Sequence, residues 1–167
     1  MNNDAQILSE ILDLQREQRT LILATTNAAG EPLASYAPFF EDGDGCFCIF
    51  VSELSGHTSN LARNARISFL LMEDEATSKQ LFARKRVTYL GIPTEVARDA
   101  SDFESLLDQM RERHGPIMDL LRTLQDFHLF RIRPLHAIFV RGFGEAFKIT
   151  GEDLREIHHL NDKGHRS

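Results

Sequence analysis

The run Thr20-Leu-Ile-Leu-Ala-Thr-Thr-Asn27, the short link Ala28-Ala-Gly-Glu31 and the run Pro32-Leu-Ala-Ser-Tyr-Ala-Pro-Phe-Phe40 decide the architecture. Both runs have strand character, and a glycine-containing link of this length cannot carry a crossover, so the two read as an antiparallel hairpin. Glu41-Asp-Gly-Asp-Gly45 repeats the turn signal and leads into Cys46-Phe-Cys-Ile-Phe-Val51, a third strand of aromatic and β-branched character. A meander is therefore under way within the first third of the chain.

Working outward, Ala5 to Arg19 places Ile7, Leu8, Ile11, Leu12 and Leu14 on an approximate helical stripe, which predicts an amphipathic N-terminal helix. Ser55 to Asn64 predicts a short helix opened by Ser and Thr capping residues, and Arg66 to Met72 a return to strand. Leu81 to Val96 reads as one long strand that bends or bulges at Gly91 and Pro93. Asp102 to Leu124 reads as helix broken at His114-Gly-Pro116, with Phe103, Leu106, Leu107 and Met110 on one face. Two strands, Phe127 to Ile132 and Ala137 to Val140, are expected around Pro134, then a strand from Glu145 to Ile149. Thr150-Gly-Glu-Asp153 has the spacing of a capping box and predicts a last short helix. Most strand connections are too short for crossovers, so the order predicts a mainly β chain with flanking helices, an α+β antiparallel barrel. At 167 residues it fits a single domain over 1–167, ending in a polar tail from about 161 to 167.

A formal net charge of -6 argues against broad nucleic-acid binding, which needs a basic footprint. The start MNNDAQILSE lacks the basic head and apolar run of a signal peptide, and no later stretch is long and apolar enough to span a membrane, so a cytoplasmic location without membrane insertion is expected. Cys46 and Cys48 alone cannot form a tetrahedral metal site and read as small, half-buried strand residues. Phosphate-loop, dinucleotide, zincin and nucleophile-elbow motifs are absent.

Three polar clusters remain: Ser35-Tyr-Ala-Pro-Phe39, Ser52 to Asn60 around His57, and Phe82-Ala-Arg-Lys-Arg86. Arg84 and Arg86, two apart on an expected strand, would share a face, where guanidinium forks suit a phosphate or a pair of carboxylates; a solvated strand face is the plainer reading. His57 at a helix start, with Ser55, Thr58 and Asn60, could form an anion site or simply cap the helix. His128, His158, His159 and His165 all fall in the last quarter of the chain, where a tail imidazole could close over a planar iron-bearing ligand or merely be solvated.

Taken together, Leu-Ala-Thr at 23–25, Ser-Tyr-Ala-Pro-Phe at 35–39, His-Thr-Ser-Asn-Leu at 57–61, Glu-Asp-Glu-Ala at 73–76, Lys-Gln-Leu-Phe-Ala-Arg-Lys-Arg at 79–86, Leu-Gln-Asp-Phe-His-Leu-Phe-Arg at 124–131, Val-Arg-Gly-Phe-Gly at 140–144 and Gly-His-Arg at 164–166 resemble the haem-utilisation family of the HugZ/HutZ type. That family lies within the FMN-binding, pyridoxamine-phosphate-oxidase-like split-barrel superfamily, and the resemblance covers nearly the whole chain. It implies a homodimer of split barrels, haem held near the subunit interface, and oxidative opening of the porphyrin by oxygen and an electron donor, with supply from a cytoplasmic haem-delivery protein as one source. On the family pattern His165 would ligate the iron, and Asp126 would accept the ring's other N–H. Arg84 and Arg86 would act on charge, and Ser35, Tyr36, Ser52, His57, Thr58, Asn60 and Lys85 would complete the binding residues. Two alternatives stay open: haem storage or trafficking without turnover, and an FMN-dependent oxidoreductase with its phosphate against Arg84, Arg86 and the Ser55-His57-Thr58 turn.

Overall fold

The hairpin at the front of the chain forms as its residues dictate. Gly30 takes the left-handed φ of +79° that the turn requires, and the Asn27 side chain accepts the backbone N–H groups of Ala29 and Glu31, each at 2.9 Å. The computed structural model describes residues 3–160. Among these, the elements run α1 (Asn3–Glu17), β1 (Thr20–Thr26), β2 (Pro32–Glu41), β3 (Phe47–Ser52), α2 (Gly56–Arg63), β4 (Ile67–Met72), two 3-10 turns (Glu75–Thr77 and Leu81–Ala83), β5 (Arg86–Val96), α3 (Phe103–His114), α4 (Ile117–Leu121), β6 (Phe127–Gly142), β7 (Glu145–Thr150) and β8 (Glu156–His159).

The strands form one eight-stranded sheet in the order β3-β2-β1-β4-β5-β6-β7-β8, and β3 pairs a second time with β6. That second pairing joins the two ends of the six-strand run, giving a closed antiparallel barrel with β7 and β8 as an extension beyond it. Closure pairs both edges of the six-strand run and leaves β8 as the outer strand of the sheet. The expected mainly β, helix-flanked antiparallel barrel is thus the observed fold.

The chain divides into two compact units. One draws its described residues from Met1–Gln18, Leu70–Leu90 and Leu135–Ser167; the other comprises Arg19–Phe69 and Gly91–Pro134. In the second unit, α3 lays the expected face of Phe103, Leu106, Leu107 and Met110 into a buried cluster with Phe40, Cys48, Phe50, Met118 and Leu129. The i, i+3, i+4, i+7 spacing of those four residues makes that stripe continuous. In the first unit, α1 buries Ile7, Ile11 and Leu14, while Leu12 is left 45% exposed, so its apolar stripe is narrower than expected. Gln15 of that helix donates from Nε2 to the Tyr89 hydroxyl at 2.8 Å, satisfying a polar atom on an otherwise buried ring.

Four local expectations are corrected. Strand β5 begins at Arg86 rather than Leu81, because Leu81–Ala83 is wound into a 3-10 turn capped by the Gln80 side chain. It then runs unbroken through Gly91 and Pro93. Gly91 is needed for space, since a Cβ there would sit 2.7 Å from Ile132 Cγ2. Strand β6 likewise passes straight through Pro134. Its pairing with β3 ends at Ile132 and that with β7 begins at Ala137, so Pro134 lies where β6 changes partner along one edge. The last helix is replaced by β8: Gly151 at φ +92° and Leu154 at φ 54° reverse the chain, and Thr150 Oγ1 bonds across the hairpin to Glu156 and His158 instead of capping a helix.

Candidate functional site

In the second unit, β3 ends at Ser52 opposite Phe127 of β6, which brings the Ser52–Asn60 cluster beside Asp126. Ser52 Oγ donates to Asp126 Oδ2 at 3.0 Å, and the Glu53 N–H donates to the Asp126 carbonyl at 2.8 Å. Thr58 Oγ1 donates to the Ser52 carbonyl, and Leu54 N–H to Ser52 Oγ at 3.1 Å. Ser52, Thr58 and Asp126 are thus brought together, and the Asp126 carboxylate has no further side-chain partner among the described residues.

In the first turn of α2, His57 is 2% exposed. Its Nδ1 lies 2.9 Å from Thr25 Oγ1, and that oxygen also accepts from Asn60 Nδ2 at 2.9 Å. The Thr25 hydroxyl, with one proton and two lone pairs, meets the Asn60 amide and the His57 ring at once. Burial pushes the His57 pKa down, so the ring stays neutral, and Nε2 has no hydrogen-bond partner among the described residues. Ser55 caps α2 by accepting the His57 N–H, so the capping reading of this segment holds alongside any ligand role.

Beside this cluster lies a cleft of about 280 Å³ lined by Glu53, Thr58, Ser59, Ala62, Glu95, His128 and Phe130. The His128 ring is clamped between two carboxylates, with Nδ1 2.6 Å from Glu95 Oε1 and Nε2 2.7 Å from Glu53 Oε1. Ionised carboxylates only accept, so both contacts are made only by the doubly protonated imidazolium. The hydrogen bonds to Glu95 and then Glu53 raise the His128 pKa above its usual 6.5. A raised folded-state pKa means the clamp contributes its full stabilisation below pH about 6.5 and loses it as pH rises through the folded value. Imidazole NMR is expected to show His128 titrating above the ordinary histidine range, with Glu95→Gln bringing it down. The urea midpoint of the native protein should exceed that of His128→Gln most below pH about 6.5, with the gap closing at alkaline pH. A gap that widens with pH would exclude the clamp.

The basic cluster lies in the other unit. Arg84 closes the 3-10 turn and is not on a strand, so it and Arg86 do not share a strand face. Arg84 Nε donates to the Glu73 carbonyl at 2.7 Å, Lys85 Nζ lies 3.6 Å from Glu10, and Arg86 Nη1 donates to the Arg84 carbonyl at 3.0 Å. Ser35 and Tyr36 are exposed on β2, with Tyr36 directly opposite Ile22 of β1. His165 lies outside the described residues. The clamp around His128 was not legible in the sequence. Glu53, Glu95 and His128 are far apart along the chain, and the one signal was the two-residue spacing of Asp126 and His128 at a strand start.

Residues 7–141 match the sequence family described as pyridoxamine 5'-phosphate oxidase. The chain is 44% identical over 157 residues to a protein named heme oxygenase HutZ from Vibrio cholerae serotype O1, covering 94% of this chain and 88% of that one. A crystal structure of HutZ from the same species, described as the heme storage protein, aligns with a TM-score of 0.72 at 42% identity, covering 77% of this chain and 89% of that one. The Campylobacter jejuni ChuZ structure aligns with a TM-score of 0.88 at 28% identity over 100% of this chain and 67% of that one. The chain belongs to the HutZ type of the pyridoxamine 5'-phosphate oxidase-like split-barrel family.

Proposed function

We propose that this protein binds haem and opens it oxidatively, acting as a cytoplasmic homodimer. The observation that carries the reading is the 44% identity, over 94% of the chain, to a protein named heme oxygenase. The residues present suit such a ligand. Asp126 offers a carboxylate engaged by a single hydroxyl, His57 a buried and unpartnered ring nitrogen, and Arg86 a guanidinium with no carboxylate within ion-pair distance among the described residues. Among the described residues no group of three His, Cys, Asp or Glu is set to hold a bare metal ion, whereas haem iron needs only one axial imidazole from the protein.

His165 is assigned as that ligand and Asp126 as the acceptor of its second ring N–H, from the same or the partner subunit. Ser52 orients the carboxylate, and Arg84, Lys85 and Arg86 balance the negative edge of the ligand. Bound haem supplies the redox chemistry, with oxygen and an external electron donor as co-reactants. The β1–β2 outer face supports the dimer: Ile22 with Tyr36 and Ala24 with Ala34 lie side by side and exposed. Among the described residues no helix is long and apolar enough to cross a membrane, and both cysteines are free thiols, in keeping with a reducing compartment. A second reading, haem storage without turnover, is favoured by the description of the solved HutZ as a storage protein.

The test is an absorption titration of the dimeric apo protein with haemin, repeated with His165→Ala, followed by ascorbate in air. Saturable binding at one per protomer, lost in His165→Ala, with bleaching of the Soret band on reduction, is expected. Binding without bleaching would establish storage, and a copurifying yellow flavin with no specific haemin binding would establish the FMN oxidoreductase.

A further inference from the structure

Arg98 lies two residues beyond the end of β5 and is exposed, yet it meets no carboxylate within ion-pair distance among the described residues. Its Nη2 instead donates to two backbone carbonyls, those of Leu124 at 2.5 Å and Phe127 at 2.9 Å. These carbonyls bracket the turn formed by Gln125 and Asp126, so one guanidinium closes the loop that carries the Asp126 carboxylate. The guanidinium is itself seated. Its carbon stands 5.5 Å from the centre of the Phe103 ring, which is 2% exposed at the head of α3. The link that carries Arg98 is fixed as well, with the Ala100 N–H donating to the Ala97 carbonyl at 3.0 Å and the Phe103 N–H to the Ala100 carbonyl at 3.1 Å.

Successive carbonyls of a strand turn to opposite edges. The Asp126 carbonyl accepts the Glu53 N–H at 2.8 Å on the β3 side, and the next, that of Phe127, turns to Arg98. The start of β6 is thus held from both edges. Between them the Asp126 side chain has one oxygen on Ser52 Oγ at 3.0 Å, and its other oxygen has no side-chain partner among the described residues. Ser52 sets the direction of the carboxylate only while the backbone beneath it stays in place. A carboxylate on a short turn swings with small changes in φ and ψ, and a shift of about 1 Å is enough to break a hydrogen bond to a fixed partner.

We infer that Arg98 is a positioning residue for Asp126, holding the turn so that the second carboxylate oxygen stays presented to an imidazole N–H; this rests on the role proposed for Asp126 above. Arg98 acts only through the turn, so its effect vanishes once the carboxylate is gone.

Two measurements test this on the native protein, Arg98→Ala, Arg98→Lys, Asp126→Asn and the double variant Arg98→Ala, Asp126→Asn. The first is amide exchange of Glu53 in the haem-free protein, which reports the bond to the Asp126 carbonyl. The second is the rate of ascorbate-driven haem loss, read beside haemin affinity. Arg98→Ala is expected to speed Glu53 exchange roughly tenfold and to slow haem loss roughly tenfold, with affinity held within about threefold. Arg98→Lys keeps a cationic nitrogen with protons for two carbonyls and is expected to recover much of both. In the Asp126→Asn background Arg98→Ala is expected to change the rate less than about twofold. Native exchange at Glu53 in Arg98→Ala, or an equal loss of rate with and without the Asp126 carboxylate, would overturn the assignment while leaving the haem reading intact. If the native protein neither binds nor bleaches haemin, the haem reading falls, and Glu53 exchange alone decides whether Arg98 places Asp126.

Discussion

Arg131→Ala is expected to destabilise the protein by about 3 kcal/mol, seen as a fall in the thermal midpoint of roughly 10 °C. The cause is the side chain it abandons. Asp42 is only 8% exposed, and its carboxylate accepts the backbone N–H groups of Asp44 and Cys46 at 2.9 and 3.0 Å while Arg131 Nη2 approaches it to 2.6 Å. The same guanidinium reaches Asp44 at 3.0 Å and Asp102 at 3.3 Å, tying the β2–β3 turn and the start of α3 to β6. Asp42 holds the Arg131 pKa above its ordinary value, so the cation persists at any pH at which the protein folds. Removing it strands a buried carboxylate, which costs far more than the net worth of the pair. The double variant Asp42→Asn, Arg131→Met removes both charges together and is expected to recover much of the loss. A single variant that melts within 2 °C of the native protein would refute the account.

Asp126→Asn is expected to lower the rate of ascorbate-driven haem loss by roughly 10- to 100-fold while shifting haemin affinity by no more than about threefold. Asparagine keeps an oxygen for Ser52 and nearly the same shape, so the loop around Glu53 stays in place. What it removes is the negative charge that, on the function proposed above, would polarise the imidazole holding the haem iron. Single-turnover bleaching and an equilibrium titration on the same preparation separate the two effects. Equal losses in rate and affinity would show that Asp126 acts only by shaping the pocket.

Much of the barrel was readable because it rests on local signals. The Asn27–Gly30 turn, the alternation of β1 and the α3 face each declare themselves within a few residues. The misreadings fell where pairing and capping contacts overrule the preference of single residues. Pro134 looks like a strand breaker, yet it sits inside β6 where one edge changes partner from β3 to β7. Thr150 looks like a helix cap, yet its hydroxyl is taken by Glu156 and His158 across a hairpin. Of the site, Ser52, His57 and Thr58 stood out by residue type and Asp126 only through the family resemblance, while Thr25, which meets the His57 ring, is an ordinary strand threonine until α2 folds over it. The Asp42–Arg131 pair was invisible for the same reason, since neither residue carries a local pattern.

The second pairing of β3 has a kinetic consequence. Phe47–Ser52 can pair with β2 as soon as both are made, but its other edge waits for Phe127–Ile132 near the far end of the chain. During synthesis that edge stays open while α2, β4, β5 and α3 are still emerging, with Phe47, Ile49 and Phe50 unprotected. Closure is then a late, high-contact-order event that limits the folding rate, and the waiting edge is where nascent chains would adhere to one another. Conditions that slow translation between β3 and β6 should therefore lower the soluble yield without altering the stability of the finished protein.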